Sequence, residues 1–229
     1  MALTHRRTDP STRGQLAFLI GVPLAWAVLL WFHPAVDPDS VYEDLRDQVS
    51  TYVIVHVGTL IFIGLMGVAL YMLVQGLPGR AATISRWAIG PFVLFYAAWE
   101  TVIGLAVGVL VQHANDAPAG ERAAVSDAIQ AVGESAIVGE AGVLVIVGAL
   151  AWITAVIAGA VAVRRAGAPV MASVLLALSA LVVSHPPPIG PIGLVCFAGA
   201  AGLLAIGRRN ATVTATPVPA SSSTIGVNA

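Results

Sequence analysis

The sequence predicts an all-α membrane protein, a single polytopic bundle of six transmembrane helices. Three observations predict it. The 229 residues are 58% hydrophobic and only 10% charged, whereas a soluble domain carries roughly 25% charged residues. The mean hydropathy is +0.88. The basic residues are all arginine, and most of them fall in alternate connections between apolar runs. No water-soluble fold covers this much apolar surface, so lipid must be the solvent for most of it.

A helix needs about 20 mostly apolar residues to cross the hydrocarbon core. Six segments approach that length: 15–32, 52–74, 87–111, 136–163, 170–184 and 192–206. The fifth is short, and Pro186, Pro187, Pro188 and Pro191 crowd the turn after it. The runs are continuous rather than alternating, which argues against a β-barrel. Residues 1–14 read as a cytoplasmic lead, 15–209 as the bundle and 210–229 as a disordered cytoplasmic tail rich in Ser, Thr, Pro and Ala. Two connections are long enough for helices of their own, 39–50 and 119–134, and 127–139 reads equally well as an outward extension of the fourth span.

Arginines set the orientation. Arg6, Arg7, Arg13, Arg80, Arg86, Arg164, Arg165, Arg208 and Arg209 share one face of a six-span topology, leaving Arg46 and Arg122 on the other. Asp37, Asp39, Glu43, Asp44, Asp47, Asp116, Glu121, Asp127 and Glu134 fall on the arginine-poor face. Both termini are therefore expected in the cytoplasm, in a plasma membrane. A cleaved signal peptide would leave an odd number of spans and has no clear cleavage site. The absence of lysine and the abundance of Ala, Gly and Val suggest a bacterial, GC-rich source.

Composition also narrows the partners. A net charge of −1 and no basic stripe argue against nucleic acid. The lipid bilayer is the expected environment, with a homo-oligomer or a membrane partner also expected. The single cysteine, Cys196, excludes an intrachain disulfide and reads as a small buried hydrophobe. Trp31 and Trp87 read as interfacial anchors. No P-loop, Rossmann glycine pattern, Ser-His-Asp set or HExxH occurs. Internal repetition is weak: His33-Pro34 and His185-Pro186 both end outward-running spans, but not at corresponding positions of two halves.

An ionisable group inside lipid is costly, and this singles out His56, Glu100 and Glu140. His56 is placed about a turn inside the second span, Glu100 near the middle of the third, and Glu140 about a turn inside the fourth. His33 and His185 are second choices at the outer ends of spans one and five, and His113 lies just past span three. At 100° per residue, His56 shares a stripe with Thr59, Ile63 and Gly67. Glu100 shares one with Val93, Tyr96, Gly104 and Val107. Glu140 shares one with Gly133, Ala136, Leu144, Val147, Ala151 and Thr154. Small residues on these stripes allow close helix approach, so the three polar groups are expected to face one another, with Tyr96 and Trp99 lining or capping the pocket.

Several readings of that pocket stand side by side. Imidazole and carboxylate suit a metal ion, with His56, Glu100, Glu140, His33 and His185 as candidate ligands, and haem is a variant. Ligand-binding candidates are His56, Glu100, Glu140 and Tyr96. Alternatively the carboxylates bind a coupling ion or proton in a small transporter or channel, although spans five and six offer no ionisable residue to continue a path. A third reading is an accessory or structural subunit whose polar set only fixes packing, a contribution on the order of 1 kcal/mol per contact. The balance leans against an enzyme. The enzymatic variant is a zinc hydrolase with His33, His56 and His185 as ligands and Glu100 or Glu140 as base.

Overall fold

The computed structural model describes residues 10–214. They form eight helices and no strand. In chain order these are α1 (Pro10–Leu30), α2 (Val41–Leu45), α3 (Val49–Val74), α4 (Arg80–Asp116), α5 (Ala119–Gly133), α6 (Val143–Arg165), α7 (Val170–Val183) and α8 (Ile189–Thr214). By length and composition, α1, α3, α4, α6 and α8 are each able to cross a membrane, and α7 is a shorter apolar helix. Their neighbours close a ring: α1 packs on α3 and α8, α8 on α7, α7 on α6, α6 on α4, and α4 on α3. Short connections make chain neighbours such as α3 and α4 antiparallel, the usual bundle solution.

The ring surrounds a core in which aromatic side chains meet small residues. Trp26, Trp152, Tyr96, Phe92 and Phe197 are its largest fully buried members. Each tryptophan N–H finds an acceptor, as buried donors must. Trp26 donates to the Thr59 hydroxyl at 3.2 Å, and Trp152 to the Ser179 carbonyl at 3.0 Å. Gly148 lets α6 touch α4, because a Cβ there would lie 2.8 Å from the Tyr96 amide nitrogen. Isoleucine, leucine and valine cover the outside instead, with Ile54, Ile61, Leu94 and Leu150 all exposed. An apolar exterior of this extent suits acyl chains rather than water. This is a multi-pass membrane architecture.

Four expectations change. The third apolar helix is longer than 87–111, running from Arg80 to Asp116, so His113 lies inside it rather than past it. Arg86 turns back to donate to the Val74 and Leu77 carbonyls, which lets a cation enter this helix while it satisfies the end of α3. The fourth helix starts at Val143, not at 136. Residues 119–133 are a separate helix, and 127–139 do not extend the fourth span, because a compact turn over 134–142 follows. Finally, α8 continues to Thr214, so the start of the segment expected to be a disordered tail is helical. The rest of that tail, and most of the N-terminal lead, lie outside the described residues.

The short helix α7 has a consequence for the site. Its last turn tightens into a 3₁₀ stretch over Ser179–Val183. At about 1.5 Å per α residue and 2.0 Å per 3₁₀ residue it spans roughly 24 Å, less than the 30 Å hydrocarbon thickness. The chain then runs as irregular backbone through Ser184–Pro188 before α8 begins. Such backbone is tolerated at depth where protein covers it or a cavity receives it. Here it carries a buried histidine.

Candidate functional site

Three histidines from three separate segments meet at the end of the bundle opposite Arg80, Arg164 and Arg165. His33 follows α1, His56 lies seven residues into α3, and His185 sits in the irregular stretch after α7. One ring nitrogen from each lies within 4.8 Å of the others. His33 Nε2 and His185 Nε2 are 3.2 Å apart. His56 and His185 are buried, and His33 is half-buried.

The neighbours of each ring fix which nitrogen is free. His56 Nδ1 lies 2.8 Å from the Tyr52 carbonyl, one turn back on α3, and donates its hydrogen there. His33 Nδ1 donates in the same way to the Pro34 carbonyl at 2.7 Å. Tyr96 donates its hydroxyl hydrogen to the Val183 carbonyl at 3.2 Å, and His185 Nδ1 faces that hydroxyl oxygen at 3.5 Å. With Nδ1 of His33 and His56 donating to carbonyls, their Nε2 atoms are left as acceptors, and His185 Nε2 lies within hydrogen-bonding distance of His33 Nε2. A carbonyl or hydroxyl on the far nitrogen is the arrangement that orients imidazoles toward a metal.

Burial holds the His33 imidazole below the ordinary value of 6.5, against the opposing pull of the Pro34 carbonyl. Burial therefore favours the unprotonated form of His33. At 3.2 Å two neutral imidazoles either share an N–H···N hydrogen bond or, with both Nδ1 atoms protonated, present two lone pairs to a common ligand.

Glu100 stands behind the triad. Its Oε1 is 3.7 Å from His56 Nε2. The side chain is 1% exposed, and neither carboxyl oxygen has a hydrogen-bond partner. Leaving a buried carboxyl unmatched is costly. The surrounding helix is unusual as well: wider, π-helical turns over Phe92–Tyr96 and Thr101–Ala106 flank the short α-helical stretch that carries Trp99 and Glu100. Such turns concentrate at functional positions. One turn further on, Gly104 gives the His56 ring its space, because any Cβ at Gly104 would collide with the imidazole.

A cavity of about 410 Å³ opens in front of the histidines. That volume lies within the range of small-molecule sites. Val36, Val41, Ile103, Val107, Ile129, Val145 and Val183 make its walls mostly apolar, and Tyr52, Trp99 and Glu140 add polar groups. Tyr52 donates its hydroxyl to the Ile103 carbonyl at 2.7 Å, and Trp99 donates its indole N–H to the Gly139 carbonyl at 3.2 Å. Ile129 brings the inner face of α5 over the cavity. Glu140 also lines an adjoining pocket of about 230 Å³ with Asp39 and Glu134.

The structure distributes the sequence-derived candidates unevenly. His56 and Glu100 meet, and their stripes hold, since Thr59, Ile63, Gly67, Tyr96, Gly104 and Val107 are buried as expected. Glu140 does not face them from within a helix. It sits in the turn before α6, exposed on one side, and its proposed stripe is not the buried one, because Ala136 and Thr154 are exposed. The buried face of α6 runs instead through Gly148, Trp152, Ala155, Val156 and Gly159. Burial raises the Glu140 carboxyl above its usual range, with a smaller push from Asp37. Tyr96 supports His185 rather than lining the cavity. His33 and His185, placed second by sequence, join His56 in the centre, while the exposed His113 stays apart from it. No known family, curated protein or solved structure matches the chain.

Proposed function

We propose that this chain is a membrane metalloprotein whose three histidines hold one divalent transition-metal ion. The observation that carries the reading is the convergence of three imidazole nitrogens within 4.8 Å of one another, beside a buried carboxyl that has no hydrogen-bond partner. A divalent ion would take the three ring nitrogens as ligands and supply charge for Glu100. Zinc–nitrogen bonds of 2.0–2.1 Å put adjacent tetrahedral ligands about 3.3 Å apart. The His33–His185 edge of 3.2 Å fits that spacing, and the remaining edges lie within 4.8 Å. Imidazole donors without thiolate favour zinc, copper(II), nickel or iron over magnesium and calcium. Zinc is the first choice, since it accepts three histidines and an open fourth position. A bis-histidine haem needs imidazoles on opposite faces of a macrocycle, and rings this close leave no slot for one.

The direct test is metal stoichiometry. Purified without added chelator, or reloaded with zinc alone, the protein is expected to retain about one ion per chain by elemental analysis. Because burial lowers the His33 value, its metal-binding form persists as the pH falls through 6.5. Protons should therefore displace the ion only below that value. Half-release above pH 7 would contradict the reading. A folded, stable protein that holds no metal at any loading would favour an accessory or structural subunit instead.

The arginine distribution supports six crossings with both termini in the cytoplasm, α7 and the irregular stretch after it together making one crossing. The metal centre then faces outward. An Asp39→Cys variant in a Cys196→Ala background should react in intact cells with a membrane-impermeant maleimide. Labelling only after lysis would reverse the orientation.

A further inference from the structure

The cavity contains one ionisable group that the metal reading leaves unused. His33, His56 and His185 are taken up by the ion. Tyr52 is engaged with the Ile103 carbonyl and Trp99 with the Gly139 carbonyl. Among the lining side chains, Glu140 remains as the group able to accept a proton. Its turn is held in place from several directions. The Trp99 indole grips Gly139, the Glu140 amide donates to the Gly133 carbonyl at 3.1 Å, and the Gly139 amide donates to the Ser135 carbonyl at 2.8 Å.

We propose that this cavity is a hydrolytic active site for small neutral acyl esters, with Glu140 as its general base. The proposal rests on the metal reading. Three protein ligands with an open face leave a position for water, the pattern of catalytic rather than structural zinc. The open face here is the cavity. Its valine and isoleucine walls suit a short acyl chain. Asp39 and Glu134 in the adjoining pocket disfavour phosphate-bearing or carboxylate-bearing substrates and leave neutral ones. The raised value of Glu140 moves it toward neutral pH, where a general base is most effective.

The reaction balances without a redox partner. Water loses a proton to the Glu140 carboxylate as its oxygen bonds to the ester carbonyl carbon. The carbonyl electron pair moves onto oxygen, where an ion held by His33, His56 and His185 would stabilise the charge. When the pair returns, the bond from carbon to the alkoxy oxygen breaks. Glu140 gives the proton to the departing alkoxide. One ester and one water become one acid and one alcohol, and the carboxylate is restored.

The test uses the full chain in lipid nanodiscs, stripped of metal and reloaded with zinc alone. It is assayed on 4-methylumbelliferyl esters from acetate to octanoate. Turnover is expected to exceed that of the zinc-free protein at least about tenfold. Glu140→Gln, in an exposed turn, should keep one zinc and lose about 100-fold in kcat, the lower end of what a positioned base contributes. His185→Ala should lose zinc and turnover together. Stoichiometric zinc without zinc-dependent turnover would overturn the hydrolase and leave the metal reading standing. Absence of retained zinc would overturn both. Full zinc with undiminished turnover in Glu140→Gln would overturn the role given to Glu140.

Discussion

Replacing His185 by alanine is expected to reduce zinc retention from about one ion per chain to less than a tenth under dialysis. The expectation follows from where the ligands come from. His185 sits on irregular backbone between α7 and α8, and its Nε2 is the nearest neighbour of His33 Nε2. Removing it leaves two imidazoles, too few for a tight zinc site. Loss of a supporting hydrogen bond alone typically costs 10–100-fold in affinity, so loss of a ligand should exceed about 100-fold. The fold should survive, because the α7–α8 packing rests on apolar side chains such as Leu176, Leu194 and Phe197. Helical circular dichroism and detergent-phase size exclusion check that the variant is intact. Undiminished zinc in an intact His185→Ala protein would remove the triad from consideration.

Gly104→Val is expected to disturb the site and the fold at once. Any Cβ at this position meets the His56 ring, which is itself held from behind by the Tyr52 carbonyl. Either the ring abandons that hydrogen bond or α3 and α4 separate. Overpacking of this kind costs about 1–3 kcal/mol, or roughly a 2–12 °C fall in Tm for a chain of this size. Zinc affinity should fall as well, since His56 cannot keep its direction. Gly64→Ala is the control, because a Cβ there meets nothing within 4 Å. It should leave Tm and metal content unchanged within error. Equal behaviour of the two variants in a thermal-shift assay would contradict the packing described for Gly104.

These two sites show how far the sequence could be read. The helical membrane bundle was legible because hydropathy is a property of local composition, and the arginines marked alternate connections. Glu100 and His56 were legible because a polar group in an apolar run carries a physical cost wherever the chain folds. Glu140 was misplaced for a related reason: hydropathy does not register a helix start. Gly133, Gly139 and Gly142 break the chain before α6, and the apolar residues 136–138 pass as part of the run. The triad was the hardest to see. Its members are far apart in sequence, and two of them lie at helix ends, where a histidine draws no penalty. The paired His-Pro steps at 33–34 and 185–186 were the available signal, both ending spans on the face where His56 also lies. Regular α-helix was likewise assumed through α4, and no local pattern announced the wider turns on either side of Glu100.

The separation of the ligands also orders the protein's biogenesis. His33 and His185 are 152 residues apart, and translation proceeds at roughly 5–20 residues per second. The first histidine therefore leaves the ribosome roughly 8–30 seconds before the last. Through that interval the nascent chain holds at most two of the three histidines. On the proposed metal reading, loading would wait until His185 has joined His33 and His56, which makes maturation of the centre a late event.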